Sequence, residues 1–214
     1  PLHPFEKAPE RINFDEEKLG FDWQYLRNPI RENYSLTERK GYLRISASPY
    51  TLNETETVSF VARRQTEHDF SAETFFEFDS SAENEEAGIT LIQNNTHHYD
   101  LFLKKVKGQH IVQLRVQLGS LSYIAAEKVL KGNKVRFKIE GAPQQYSFFY
   151  SDTENGDYNE LGKLDTRYLS TEVAGGFTGV MIGLYASSNG KASKAKAYYD
   201  WFDYLSLIHI SEPT

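Results

Sequence analysis

The strongest constraint on the fold of this 214-residue chain is a two-residue alternation of apolar and polar side chains that recurs along most of its length. Successive side chains of a β-strand point to opposite faces, so this period indicates strands with one buried face. The clearest case has apolar residues at 112, 114, 116 and 118 and polar residues at 113, 115 and 117. We expect so regular a polar face to meet water or a solvated groove.

About a dozen segments of this kind are separated by turn signals such as Lys107-Gly108 and Ser188-Asn189-Gly190. They span residues 42–47, 58–62, 72–78, 88–93, 98–104, 112–118, 121–125, 135–140, 145–150, 180–186 and 197–204. No crossover helix lies between them, which argues against a parallel α/β fold, and one short helical turn is predicted at 165–168. The sequence therefore predicts an all-β protein, an antiparallel two-sheet jelly-roll β-sandwich.

The composition limits the partners. Fourteen Tyr and fourteen Phe with a single Met are typical of a β protein. Lys and Arg number 24 and Asp and Glu 30, giving a net charge of −6 and arguing against nucleic-acid and anionic-membrane partners. There is no Cys, and no apolar run long enough to span a bilayer. The sequence is compatible with a cytoplasmic, periplasmic or secreted bacterial protein.

The two ends differ from the body of the chain. Residues 1–12, with three prolines, are interpreted as a linker or lead-in, and residues 13–205 as the sandwich domain. Residues 206–214 continue neither the alternation nor the composition, so we interpret them as a vector- or sequencing-derived tail. The chain begins with Pro rather than Met, as a processed or excised chain would.

A search for catalytic groups finds no cysteine nucleophile, Gly-x-Ser-x-Gly elbow, phosphate loop or His-Glu-x-x-His helix. Glycosidases use a pair of carboxylates, but the acidic stretches 83–86 and 152–157 are turn-like and are interpreted as solvated. Asp200 and Asp203, three apart in a strand, are predicted to face opposite sides. They are interpreted as strand-edge charges, with a structural calcium at one of them as the alternative and no other cofactor. The rings of His97 and His98 likewise point to opposite faces, which disfavours a shared metal.

Sugar contacts in β-sandwiches use exposed aromatic rings and planar polar side chains. Six aromatic residues could either stack on sugar or fill the core: Trp23, Tyr25, Tyr99, Tyr198, Tyr199 and Trp201. The polar run Arg63-Arg64-Gln65 ends a strand with donors pointing both ways. It is a candidate contact to carbohydrate or to a neighbouring domain, the alternative being ion pairs with Glu67 or Glu73.

Six ordered segments resemble the C-terminal domain of glycoside hydrolase family 43 β-xylosidases. They are FDWQYLRNP (21–29), YLRISAS (42–48), FVARRQTEHDFSAET (60–74), EEAGITLIQNNTHHYDL (85–101), GGFTGVMIGLYAS (175–187) and AYYDWFDY (197–204). The resemblance implies a concanavalin A-like jelly roll that packs against an N-terminal five-bladed catalytic propeller, absent from this chain. Tyr199 and Trp201 stand where the family often has Phe and Tyr, which leaves the substrate class open between xylosides and arabinosides.

The resemblance also implies that an aromatic side chain of the Phe-Thr-Gly loop, here Phe177, reaches the mouth of the sugar pocket. Glycines 175, 176 and 179 give the loop, which includes Thr178, unusual backbone freedom. The alternative is that Phe177 caps the core. The function expected is thus a non-catalytic accessory domain of a xylosidase or arabinofuranosidase that helps to complete a xylo-oligosaccharide site. An autonomous lectin-like xylan-binding module and a small glycosidase are the alternatives.

Overall fold

The structure is a computed structural model that describes residues 11–20, 23–25, 29–54, 58–175 and 179–206. The strands in chain order are β1 (Arg11–Ile12), β2 (Gln24–Tyr25), β3 (Tyr34–Ser35), β4 (Leu43–Ser46), β5 (Ser59–Arg64), β6 (Phe70–Asp79), β7 (Glu86–Asn94), β8 (His97–Val106), β9 (Gln109–Leu118), β10 (Leu121–Leu130), β11 (Lys134–Gly141), β12 (Gln145–Ser151), β13 (Asn159–Asp165), β14 (Met181–Ser187) and β15 (Lys196–Ser206). The helical elements described are short: two 3-10 turns (Arg31–Asn33 and Arg167–Leu169) and α1 (Thr171–Ala174). None of the helices in the described ranges is long and apolar enough to cross a membrane.

The strands form two antiparallel sheets. The eight-stranded sheet has the order β13-β12-β11-β6-β15-β4-β3, with β1 also paired to β15. The seven-stranded sheet has the order β10-β9-β8-β7-β14-β5-β2. The predicted all-β, two-sheet antiparallel sandwich is therefore confirmed.

The main core lies between the sheets and follows the predicted alternation. In β6, the inward residues Phe70, Ala72, Thr74, Phe76 and Phe78 are all buried. Tyr199 of β15 links the two sheets, because its hydroxyl oxygen lies 2.7 Å from the Tyr185 carbonyl oxygen and 2.9 Å from that of Gly88. A buried tyrosine needs such partners, so the polar end of this ring is satisfied inside the core.

A second, smaller apolar cluster covers the outer face of the seven-stranded sheet. The segment 50–54 lies over this face and inserts Leu52 against Phe60, Phe102 and Tyr185. The sheet is thus buried on both sides near its middle, which explains why eight of the nine residues of β7 are buried. The polar face predicted for β9 does not meet water in this region: Gln117 is buried, and Arg115 lies largely under neighbouring side chains.

The predicted strands are present, and most are longer at one or both ends. Strand β13 and the two-residue strands β1, β2 and β3 were not predicted from the sequence. The predicted segment 121–125 is the first half of β10, whose alternation breaks at a β-bulge between Ile124 and Ala126. The helical turn predicted at 165–168 begins instead at Arg167. Residues 11 and 12 of the predicted lead-in pair with β15, and Ser206 of the predicted tail is the last residue of that strand.

A second bulge, in β15, corrects the predicted orientation of the two aspartates. The register shifts between Tyr199 and Trp201, leaving Asp200 as the extra residue. Tyr199 and Phe202 both face the core, so the bulge turns Asp200 and Asp203 to the same, outer face. The prediction that they face opposite sides is wrong because it assumed an unbroken two-residue period.

Candidate functional site

A cavity of about 390 Å³ opens at one end of the sandwich, which we call the loop end. Here the connections β5–β6 (65–69) and β11–β12 (142–144) meet the described parts of the β13–β14 connection (166–175 and 179–180). The cavity is lined by Gln65, Thr66, Glu67, His68, Gln93, Pro143, Tyr146, Thr166, Arg167, Leu169, Ser170, Thr171, Gly179 and Val180. Both sheets contribute, and most of the lining residues are of polar types.

One wall of the cavity is held by the hydrogen bonds of Gln65. Its backbone N–H donates to the Val180 carbonyl (2.9 Å), and its side-chain amide donates to the Glu67 carbonyl (2.8 Å). The Tyr146 hydroxyl donates to the amide oxygen of Gln65 (3.1 Å). Burial raises the pKa of Tyr146 to about 12, so this donor keeps its proton at neutral pH. The side-chain amide of Gln65, predicted as a carbohydrate or interdomain contact, thus has both its nitrogen and its oxygen hydrogen-bonded within this wall.

The glycine-rich loop is flanked by Thr171 and Val180, which also line the cavity. Its stem is fixed because the Asn94 side-chain amide donates to the Ala174 carbonyl (2.9 Å) and that of Gln93 to the Gly175 carbonyl (3.4 Å). Gly175 has φ +76°, a conformation that L side chains rarely adopt, and this explains the glycine. Gly179 returns the chain to the cavity lining. Phe177, with Gly176 and Thr178, lies outside the described residues, so its predicted sugar contact stays a prediction.

The predicted arginine contacts lie on opposite faces at the end of β5. The Arg63 guanidinium lies 4.5 Å from the ring centre of Tyr204, a cation–π contact. Arg64 is exposed, and its side chain forms no ion pair or hydrogen bond with a described residue. Within the described ranges neither arginine pairs with Glu67 or Glu73, the partners considered as the alternative.

Most of the candidate stacking rings contribute to packing. Trp23 is buried, with its ring centre 5.0 Å from that of Phe202. Tyr99 is buried as well; its hydroxyl donates to the Asp165 carbonyl (2.6 Å), and burial raises its pKa. Tyr199 and Trp201 are also buried, whereas Tyr198 is half-buried. The side chain of Tyr25 lies outside the described residues.

Asp203 and Glu85, two of the acidic residues considered as catalytic or metal-binding groups, have structural partners. Both Asp203 carboxylate oxygens accept hydrogen bonds from Arg11. Burial raises the pKa of Asp200, and the negative charge of Glu154 raises it further. The Glu85 carboxylate accepts the N–H groups of Ser81 and Ala82, each at 2.7 Å. The described residues include no group of three His, Asp or Glu side chains arranged to hold a metal, and calcium near Asp200 or Asp203 stays a prediction.

A buried polar network that was not predicted from the sequence lies on the outer face of the seven-stranded sheet. Arg115 of β9 binds Asp100 of β8 through Nε (2.8 Å) and Glu86 of β7 through both terminal nitrogens (2.9 and 2.7 Å). On the other side of Asp100, His98 Nδ1 lies 2.7 Å from its Oδ1, and His98 Nε2 lies 2.6 Å from Asn53 Oδ1. The network fastens the segment 50–54 to the sheet. Its signal in the sequence is the polar residues in the apolar strands β7 and β8.

Two antiparallel sheets with a looped, partly polar end define a jelly-roll β-sandwich domain of the concanavalin A-like class. The family described as "Beta xylosidase C-terminal Concanavalin A-like domain" matches residues 11–205, and the chain belongs to this family. The resemblance found in the sequence is thereby confirmed.

The chain is 36% identical, over 97% of its own length, to a non-reducing end α-L-arabinofuranosidase of Bacteroides ovatus. It is 31% identical, over 94% of its length, to a xylosidase/arabinosidase of Butyrivibrio fibrisolvens. It spans 39% and 40% of these two relatives, about two fifths of their length.

Solved structures of similar proteins share this fold. A Bacteroides ovatus protein described as xyloglucan PUL GH43B superimposes with a TM-score of 0.91 at 36% identity, over 97% of this chain and 41% of that one. A xylan β-1,4-xylosidase of Bacillus halodurans gives 0.88 at 26% identity, over 95% and 40%. These matches also cover about two fifths of the neighbouring chains.

Proposed function

We propose that this sandwich is a non-catalytic accessory domain of a longer family 43 glycoside hydrolase. It packs on the catalytic domain of that enzyme, and the loop 175–179 helps to complete the sugar site. The observation that carries the proposal is the shared position of the loop stem, the cavity and the N-terminal end of β1 at the loop end of the sandwich.

The direction of β1 supports this arrangement. Ile12 pairs with Phe202 and Arg11 with Asp203, so the N-terminal end of β1 points toward Ser206, the last residue of β15. Ser206 pairs with Phe70, which directly follows the 65–69 connection at the loop end. Because the family is described as a C-terminal domain, the remaining three fifths of such an enzyme precede it. Preceding sequence would therefore reach the sandwich at the end that carries the loop.

A proposal for the substrate class is supported by the named relatives, which are an arabinofuranosidase and a xylosidase/arabinosidase. We infer that the parent enzyme acts on pentose glycosides such as xylo-oligosaccharides. A phenylalanine ring at the rim of such a site excludes water and packs on the C–H face of a sugar.

The loop role is tested by Phe177→Ala in the full-length enzyme. Loss of one apolar contact worth about 1.4 kcal/mol lowers kcat/KM on an aryl xyloside or arabinoside about tenfold. The melting temperature should change little. The control is Phe149→Ala, a half-buried phenylalanine on the outer face of the eight-stranded sheet. An unchanged kcat/KM for Phe177→Ala would refute the loop role.

The accessory role is tested separately on the chain as it stands. We expect no hydrolysis of aryl xylosides or arabinosides by residues 1–214, and full activity from the full-length enzyme at the same molar concentration. Glycoside hydrolysis by the isolated chain, abolished by a carboxylate substitution within it, would establish the small-glycosidase alternative instead.

A further inference from the structure

Large apolar side chains exposed at the loop end include those of Leu121, Tyr123 and Val173. Leu121 is 70% exposed, Tyr123 55% and Val173 46%. We call these three residues the end patch. Single exposed apolar residues need no explanation, whereas apolar residues that form one contiguous surface mark an interaction site.

The strand register and two hydrogen bonds place the three residues at the same end. Leu121 begins β10 and pairs with Leu118, just across the turn whose Gly119 N–H donates to the Thr96 carbonyl (2.7 Å). Val173 lies in α1, whose Ala174 carbonyl is bound by Asn94 at the end of β7. Thr96 and Asn94 belong to the same β7–β8 turn region, so β10 and α1 flank it.

The fold itself does not account for this exposure. Leu121 and Tyr123 pair with Leu118 and Val116, which face the core, so they lie on the inner side of the sheet. Leu130, on the same side at the other end of β10, is only 7% exposed and belongs to the core. Toward the loop end the inner side of β10 is thus left uncovered, although its side chains are as apolar as those of the core.

We propose that the end patch is the docking surface for the catalytic domain of the same polypeptide. This inference rests on the proposed function and adds to it the surface that makes the contact. The occupant is indicated by the direction of β1, which leads toward the loop end, and by the relatives, in which three fifths of the chain lie outside this domain.

The charges around the patch agree with an interface inside one chain. The apolar side chains are bordered by the exposed Asp165, Arg167 and Glu172, which carry both signs. Interfaces between domains of one chain commonly bury about 600–1,500 Å² and have an apolar centre with a polar rim. A surface with both signs at its edge also disfavours a strongly charged partner.

Hydrogen–deuterium exchange tests the proposal directly. The backbone amides of residues 119–123 and 171–174 are compared between the chain alone and the full-length enzyme. We expect exchange at least tenfold slower in the full-length enzyme at these residues, and equal rates at residues 129–133 on the far end of β10. Equal rates at the end patch would overturn the proposal.

A matched pair of substitutions tests the side chains. Leu121→Lys and Val129→Lys each replace an exposed apolar residue of β10, 70% and 60% exposed, roughly 26 Å apart along the strand. Both variants of the isolated chain should unfold at the wild-type temperature, because surface substitutions have small effects. In the full-length enzyme, Leu121→Lys should abolish the slower exchange at 171–174, whereas Val129→Lys should preserve it. Slower exchange that survives Leu121→Lys would refute a docking role for this side chain.

The results distinguish this inference from the loop role. Slower hydrogen exchange at the end patch together with an unchanged kcat/KM for Phe177→Ala would support docking and refute the loop contact. A reduced kcat/KM for Phe177→Ala without slower exchange at the end patch would support the loop contact and refute docking. The isolated chain could instead form a dimer that Leu121→Lys prevents, with no slower exchange in the full-length enzyme. That result would assign the end patch to a second copy of the chain and overturn the proposal.

Discussion

Asp100 illustrates what a single buried charge requires of its surroundings. Its carboxylate is fully buried and is bound by Arg115, His98 and Thr90, the last at 2.6 Å. Burial alone would raise its pKa, but the positive charges and hydrogen bonds outweigh burial and hold the pKa well below its usual range. The sequence showed polar residues at every second position of β9. It could not show that Arg115 reaches across β8 to Glu86, because that depends on the register of three strands.

We predict that Asp100→Asn lowers the free energy of unfolding at pH 7 by about 3–5 kcal/mol, because Arg115 and His98 then lose a charged partner inside the protein. The pKa of Asp100 is depressed in the folded state. Its stabilisation is therefore complete above the ordinary aspartate pKa of about 3.9 and is lost as the pH falls toward the folded value. Denaturant titrations between pH 7 and 2 measure this.

The expected pattern is a decline in wild-type stability below about pH 4–5 that is shallower in Asp100→Asn. The matched control is Asp152→Asn, an exposed aspartate in the β12–β13 turn, which should follow the wild type. Parallel pH curves for wild type and Asp100→Asn would show that the carboxylate contributes no ionic stabilisation.

At the scale of elements, the bulges in β10 and β15 account for two of the errors in the strand assignments. A bulge shifts the side-chain alternation by one residue, so every expectation beyond it is reversed. In β15 this moved Asp200 and Asp203 to one face, and in β10 it ended the predicted strand at Ala125. The apolar–polar pattern does not mark an unpaired residue, which is why these faces could not be predicted from the sequence.

The contact between β5 and β14 yields a prediction at this scale. A Cβ atom added to Gly183 would lie 1.8 Å from the Phe60 ring, which occupies the space above the glycine in the second apolar cluster. We predict that Gly183→Ala destabilises the domain by about 1–3 kcal/mol through overpacking, measured by urea denaturation. Gly132→Ala is the control, because nothing lies within 4 Å of its added Cβ. The penalty of Gly183→Ala should also shrink in a Phe60→Leu background, and an undiminished penalty would contradict a clash with that ring.

For the whole molecule, the sequence was sufficient to predict the architecture. The two-residue period, the turn signals and the lack of crossover helices led to an antiparallel sandwich, and six ordered segments led to the family that the comparison shows. The roles of the aromatic residues could not be predicted from the sequence. A ring that stacks on sugar and a ring that fills a core have the same spacing in a strand. Trp23 and Tyr99 could be placed in the core only once the sheets were seen to close over them.

The burial of these rings leads to an expectation for the autonomous lectin-like alternative. Stacking on a sugar needs an exposed ring face, and Trp23, Tyr99, Tyr199 and Trp201 do not offer one. We therefore predict that the isolated chain migrates at the same rate in native gels with and without xylan, with a known xylan-binding module as the positive control. Retardation by xylan would support an autonomous binding module. If Tyr123→Ala then removed the retardation and Val129→Ala did not, the binding would be assigned to the end patch, where an exposed ring is present.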